Sequence, residues 1–192
     1  MRKAVVAMAL GAAMATDAMA ETYKGYEMPP FTVELADGAV ELRSYDQHVV
    51  AEVTVRGGRE GAIGAGFRTL AGYIFGGNDR GEKIAMTVPV AQTPVTEGTW
   101  TIRFMMPAAK APDLPAPQAG TIRFVTVEPE RQVALRFSGG RGEKVLAERA
   151  AELREWAAKR DLTITAGPHY YFYDGPMTLP WSRRNEVAFS IR

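Results

Sequence analysis

The chain has 192 residues, 46% of them hydrophobic and 23% charged, with 23 Lys and Arg against 22 Asp and Glu. Those proportions are close to a globular average and exclude wholesale disorder and collagen-like repeats, while so even a charge balance lacks the basic footprint of a nucleic-acid binder. Absence of Cys removes disulfides, thiolate zinc sites, iron–sulfur clusters and cysteine nucleophiles, and two histidines are too few for a three-histidine metal site, so no metal centre is expected.

Arg2 and Lys3 open the chain, Ala4 to Ala15 is an uncharged apolar run, and Ala18-Met19-Ala20 has the small-x-small pattern of a signal peptidase site. This is the order of a secretory signal peptide over residues 1–20, and the run is too short to cross a bilayer. The expected product is Glu21 to Arg192, one domain without a membrane span, periplasmic or secreted, and a monomer.

Val40 to Val55 reads as extended chain, with Val49, Ala51, Val53 and Val55 alternating against Val50, Glu52 and Thr54. Arg56-Gly57-Gly58 ends it. Ile63, Phe67, Leu70 and Ile74 then recur on one face of a helix, whose glycines weaken it so that packing must hold it. Gly76-Gly77-Asn78-Asp79 stops that helix, and strand-like runs follow at Ile84 to Val90 and Trp100 to Met106. Pro107 to Gly120, with four prolines, is a connector. The second half repeats the order. Gln132 to Phe137 is strand-like, Ser138-Gly139-Gly140 answers the earlier glycine pair, and Leu146, Ala150, Leu153 and Ala157 mark a second helix. Strand-like runs at His169 to Tyr173 and Asn185 to Ile191 close the chain. Each half is therefore β-α-β-β, with pseudo-repeats over about 40–106 and 121–191. Neither half buries a comfortable core alone, so an α+β fold is expected in which the sheets join into one bent sheet or barrel with the helices packed against it.

No Gly-x-Ser-x-Gly elbow or Walker loop is present, and Gly57 to Gly66 lacks the register of a phosphate cradle. His48 shares a strand face with Val50 and Glu52. It reads either as a surface histidine, pointing away from the Val face, or as an axial ligand to a metal porphyrin. His169 reads as a strand-entry residue. Met86, Met105, Met106 and Met177, set among Phe67, Phe104 and the Tyr170 to Tyr173 run, read as core or, taken together, as the lining of a cleft for a flat apolar ligand. Arg183 and Arg184 read as partners for ligand carboxylates or for neighbouring acids such as Asp174 and Glu186.

Several motifs in order carry a resemblance. Tyr73-Ile74-Phe75-Gly76-Gly77-Asn78-Asp79 precedes Met86-Thr87-Val88-Pro89-Val90. Phe104-Met105-Met106-Pro107 and Phe137-Ser138-Gly139-Gly140 follow, and Tyr173-Asp174-Gly175-Pro176-Met177 precedes Arg183-Arg184-Asn185-Glu186-Val187. From Tyr26 to Ile191 the chain resembles the SOUL / haem-binding protein family. The resemblance implies a distorted antiparallel β-barrel flanked by two helices and built from duplicated β-α-β-β units. It also implies a haem or other tetrapyrrole held reversibly in a shallow apolar cleft on the first helix and a loop near the last strands. Some relatives use an axial histidine and some none, and basic side chains near the helix pair with the haem propionates. Carried onto this sequence, the exposed helix stripe is Gly64, Phe67, Ala71 and Gly72, with Met177 completing the apolar patch from the loop, and His48 stays the candidate axial ligand from the reading of its strand. The expected propionate clamp is absent: Thr178 is uncharged and Arg68 is the nearby base, so Arg68, Arg183 or Arg184 stands in for it. The leading expectation is non-enzymatic tetrapyrrole binding. An enzyme using Glu82 or Asp174 as a base, and a module that accepts a partner's apolar segment, are the alternatives.

Overall fold

A computed structural model describes residues 22–192, so the leader expected over residues 1–20 lies outside the described residues. The alternating segment near the start divides at Asp46-Gln47 into β4 (Val40–Tyr45) and β5 (His48–Arg56). Three short strands precede them: β1 (Thr22–Tyr23), β2 (Tyr26–Glu27) and β3 (Phe31–Asp37). Then come α1 (Arg59–Ile74), β6 (Val90–Thr96), β7 (Thr99–Met105), β8 (Arg123–Val127) and β9 (Glu130–Phe137). The chain ends with α2 (Glu143–Ala158), β10 (Ile164–Phe172) and β11 (Asn185–Ile191).

Strands β3 to β11 form one nine-stranded antiparallel sheet in the order β3-β4-β9-β11-β10-β6-β7-β5-β8. Two β-α-β-β runs, β5-α1-β6-β7 and β9-α2-β10-β11, are each kept together and meet where β6 pairs with β10. Strand β4, ahead of the first run, pairs with β9 of the second, and β8, ahead of the second, pairs with β5 of the first. This exchange ties the halves together across the whole sheet. The sheet curls into an open barrel, because residues from both its edge strands, Phe31 of β3 and Val127 of β8, line one interior cavity. The expected α+β architecture, a distorted barrel flanked by two helices, is the one observed.

Both helices pack on the outer face, over cores that meet at Trp100. Leu70, Tyr73 and Ile74 of α1 bury against Ala51, Val53, Ile102 and Phe104, and Leu146, Leu153 and Ala157 of α2 bury against Val133, Leu135, Val187 and Phe189. Each such Val, Leu, Ile or Phe side chain contributes about 1.5–3 kcal/mol relative to exposure. Glycine in α1 has a packing role at Gly66, where a Cβ would stand 2.8 Å from Ile102 Cδ1, so the helix lies directly on β7. Gly77 allows a still closer approach, since a Cβ there would meet the Gly72 carbonyl oxygen at 2.7 Å.

Two strand readings change. Ile84 to Pro89 is irregular, and β6 begins only at Val90. Its polar groups bond elsewhere: Ile84 N–H to Ile74 O, Val88 N–H to Glu27 O, and Thr87 Oγ1 to Met105 O. Pro89 has no N–H to give a ladder. Strands β3 and β8 were not expected. Both are edges with mostly exposed side chains, so their hydrophobic signal is weak.

Candidate functional site

The outer face carries an apolar row beside α1. Pairing places Phe104 of β7, Val90 of β6 and Phe172 of β10 directly abreast. Phe67 projects from α1 onto this row, edge-on to Phe104 with ring centroids 5.4 Å apart, and remains 45% exposed. A buried aromatic sheet position thus supports a half-open aromatic helix position. Gly64, Arg68 and Ala71 share the Phe67 face at helical spacing. Gly64 leaves a hollow into which Arg68 leans, since a Cβ there would stand 3.5 Å from Arg68 Nη1. Arg68 is exposed and pairs with no acid among the described residues. Gly64, Phe67, Arg68 and Ala71 therefore form a mostly apolar shelf with one free cation, and the exposed Glu60 lies one turn before Gly64 on the same face.

At the other end of the row, β10 stops at Phe172 and the chain runs through Tyr173 and Asp174 into the loop that bears Met177, which is 92% exposed. Arg183 pins this loop by donating from Nε to Thr178 O at 2.7 Å and from Nη2 to Pro176 O at 2.9 Å. Its guanidinium thus holds the loop's shape and contacts no carboxylate among the described residues. Asp174 anchors the base of the loop, accepting from Lys24 Nζ, Tyr23 Oη and the Arg184 N–H. Burial would raise its pKa, but those donors outweigh it and hold the carboxyl below its ordinary value.

Arg184 is committed elsewhere. It donates from Nε and Nη2 to Glu186 Oε1, at 2.9 and 2.7 Å. Glu186 is fully buried and also accepts from Arg43 Nη1 at 2.8 Å, Arg43 Nη2 at 3.0 Å and Tyr173 Oη at 2.9 Å. Burial alone would raise the Glu186 pKa; the Arg43 hydrogen bonds and the charges of Arg43 and Arg184 reverse this and lower it. Tyr45, donated to by Arg43, has its phenol pushed up to about 12, mainly by burial.

The inner face is more polar than the strand pattern foretold. His48 does not point to open solvent: the sheet's curl turns it into the cavity, half-buried, with Nδ1 2.9 Å from Asp46 O. His169, read as a strand entry, instead lies within β10, because that strand already begins at Ile164, and its side chain is also inside. Thr93 Oγ1 lies 3.0 Å from its Nδ1 and Ser190 Oγ 3.3 Å from its Nε2, and Ser190 donates to Glu130 Oε2 at 2.7 Å. Burial lowers the His169 pKa, with Glu130 pulling it up and Arg103 down. The cavity measures about 60 Å³, room for a few waters and far too small for a macrocycle.

Gly64, Phe67, Arg68 and Ala71 therefore come together on one helix face. Met177 and Arg183 share the loop at the far end of the row. His48 lies on the opposite face of the sheet from Phe67, so the two do not share a site. Sequence reasoning missed the Arg43–Glu186 pair and the Thr93–His169–Ser190–Glu130 chain. The one available signal was charge at inward positions of otherwise apolar strands. Among the described residues, no cluster of three or more His, Asp or Glu is placed to hold a metal ion.

A nine-stranded curled antiparallel sheet with two outer helices, and an apolar shelf on the first of them, defines the class of protein as an α+β half-barrel. Residues 26–190 match the family described as SOUL heme-binding protein, and the chain belongs to that family. It is 31% identical over 179 residues to mouse (Mus musculus) "Heme-binding protein 2", covering 84% of each chain. Among solved structures it resembles the EcmrR C-terminal domain, with a TM-score of 0.62 at 13% identity over 80% of this chain and 96% of that one. A hydrolase from Listeria innocua gives a TM-score of 0.55 at 13% identity, covering 83% and 94%. At such identities these two show a shared fold and nothing about activity.

Proposed function

We propose that the protein binds haem or a related tetrapyrrole, without turning it over, on the α1 shelf, and so carries or buffers the ligand. The observation that carries this reading is the half-open Phe67, set on Phe104 within a stripe of Gly64, Ala71 and a single unpaired base, Arg68. Membership of a family described as heme-binding supports it. The residues fit the group. A flat macrocycle needs an uncharged shelf, which Gly64, Phe67 and Ala71 supply, and its propionates need a cation at the edge, which Arg68 supplies. Apolar burial at about 25 cal/mol per Å² provides most of the affinity, less the cost of ordering the ligand. Neither histidine of the chain lies on this face, so the iron receives no imidazole from the protein there.

Titrating the purified protein with haemin and following the Soret band tests this reading. A saturable shift at micromolar haemin is expected. Phe67→Asp should weaken it by about tenfold, since burying a charge in place of roughly 50 Å² of apolar contact forfeits more than 1 kcal/mol. Absence of a saturable shift, or an unchanged Phe67→Asp titration with the far-UV spectrum preserved, overturns the assignment.

A further inference from the structure

Two observations away from the α1 stripe meet at the loop between β10 and β11. Leu179 is 54% and Trp181 72% exposed, two residues apart on its outer side. They are held in the open by a braced loop. Arg183 ties down Thr178 and Pro176, Gly139 N–H donates to Pro180 O at 2.9 Å, and Ser182 N–H donates to Leu179 O at 2.9 Å. Large apolar side chains fixed outward on an ordered loop mark an interaction surface rather than a packing fault. Beside Trp181 lies an open depression lined by Arg136, Arg183, Arg184, Ser138 and Ser182, with no acidic residue in its wall. Arg184 is neutralised by Glu186, whereas Arg136 and Arg183 contact no carboxylate among the described residues. Beside the protruding Trp181 therefore lie the free guanidinium of Arg136 and that of Arg183, whose Nε and Nη2 brace the loop while its Nη1 stays available.

We propose that this loop and depression dock the protein on an anionic phospholipid surface. Trp181 and Leu179 enter the interfacial layer, where an indole buries its ring and keeps its N–H wet. Arg136 and Arg183 meet lipid phosphates, and guanidinium suits phosphate oxygens. Charge chooses this occupant over a second copy of the chain, which would bring the same arginines against these. A soluble phosphate would use the arginines and leave the Trp–Leu pair without a role.

Flotation of the full chain with vesicles tests the proposal, using phosphatidylcholine alone or with a quarter of phosphatidylglycerol. The protein should float with the anionic vesicles, poorly with the neutral ones, and be released as salt rises from about 0.1 to about 0.5 M. Acyl-chain bromine should quench part of the tryptophan emission, and that part should vanish in Trp181→Ser. The Leu179→Ser/Trp181→Ser pair should float at least about tenfold less, and Arg136→Gln about fivefold less. Both variants should keep the parent's unfolding midpoint and haemin titration, which separates failure here from failure of the tetrapyrrole reading. Equal flotation on both vesicle types, or parent-like flotation of the double variant, overturns the proposal. So does millimolar inorganic phosphate protecting the fold while vesicles recover nothing, which would make the depression a soluble-anion site. A concentration-dependent dimer lost in Trp181→Ser would assign the surface to self-association and overturn it equally.

Discussion

Glu186→Gln isolates the most heavily committed charge in the protein. The wild-type carboxylate takes five hydrogen bonds, two from Arg43, two from Arg184 and one from Tyr173. Side-chain exposure is 0% for Glu186 and 1% for Arg43. The amide keeps much of the shape, removes the negative charge and turns an N–H₂ toward donors. Arg43 is then left buried with only Glu41, at 2.7 Å, as a counter-ion. Breaking a buried pair by removing one partner costs about 3–5 kcal/mol, and the remaining Glu41 contact puts this case near 3. At roughly 2–4 °C per kcal/mol for a domain of this size, Tm should fall by about 6–12 °C. Urea unfolding followed by far-UV circular dichroism measures the same loss. Tyr173→Phe deletes one hydroxyl donor and keeps the ion pair, so it should cost only about 1 kcal/mol. A Glu186→Gln loss below about 1 kcal/mol, or one no larger than that of Tyr173→Phe, would refute the claim that this pair locks β4, β11 and the loop base together. The pH dependence has a fixed sign. The Glu186 pKa is depressed in the fold, so its contribution is complete above the ordinary value of 4.5 and is lost as pH falls through the depressed value.

Replacing His48 with Ala should leave the Soret position and the haemin affinity unchanged, because His48 faces the interior; a shifted band would place iron there instead. His169, buried with a lowered pKa, should make the fold lose stability as pH drops below 6.5, the loss continuing until its depressed folded value is passed. His169→Gln should flatten that slope in urea midpoints measured between about pH 7 and pH 5. Gly72→Ala, on open helix surface, should raise stability by up to about 1 kcal/mol. Gly77→Ala, whose Cβ would meet backbone oxygen at 2.7 Å, should lower it by about 1–3 kcal/mol in the same thermal assay.

Much of the architecture is written locally. Period-two valines at β5, the Ile63–Phe67–Leu70–Ile74 spacing of α1 and the twin glycine turns each depend on neighbours a few residues away. They declare two β-α-β-β runs without reference to the rest of the chain. The exposed Phe67 stripe came from the family resemblance instead, since helical period alone grouped Phe67 with Ile63, Leu70 and Ile74, of which Leu70 and Ile74 are buried while Phe67 stays half open. What the pattern does not carry is which strands of different halves meet and which way the sheet bends. Pairing of β4 with β9 and of β5 with β8 is non-local, so the exchange that joins the halves appears only in the fold. Curvature then decides the fate of His48. On a flat sheet, the face away from the helix is solvent; on this curled one it is an interior, and His48, His169, Arg43 and Glu186 become buried or half-buried polar groups that need partners. Sequence determined the faces of each element, because alternation and helical period are set by backbone geometry. Tertiary structure alone decided which of those faces became inside, because enclosure is a property of many strands acting together.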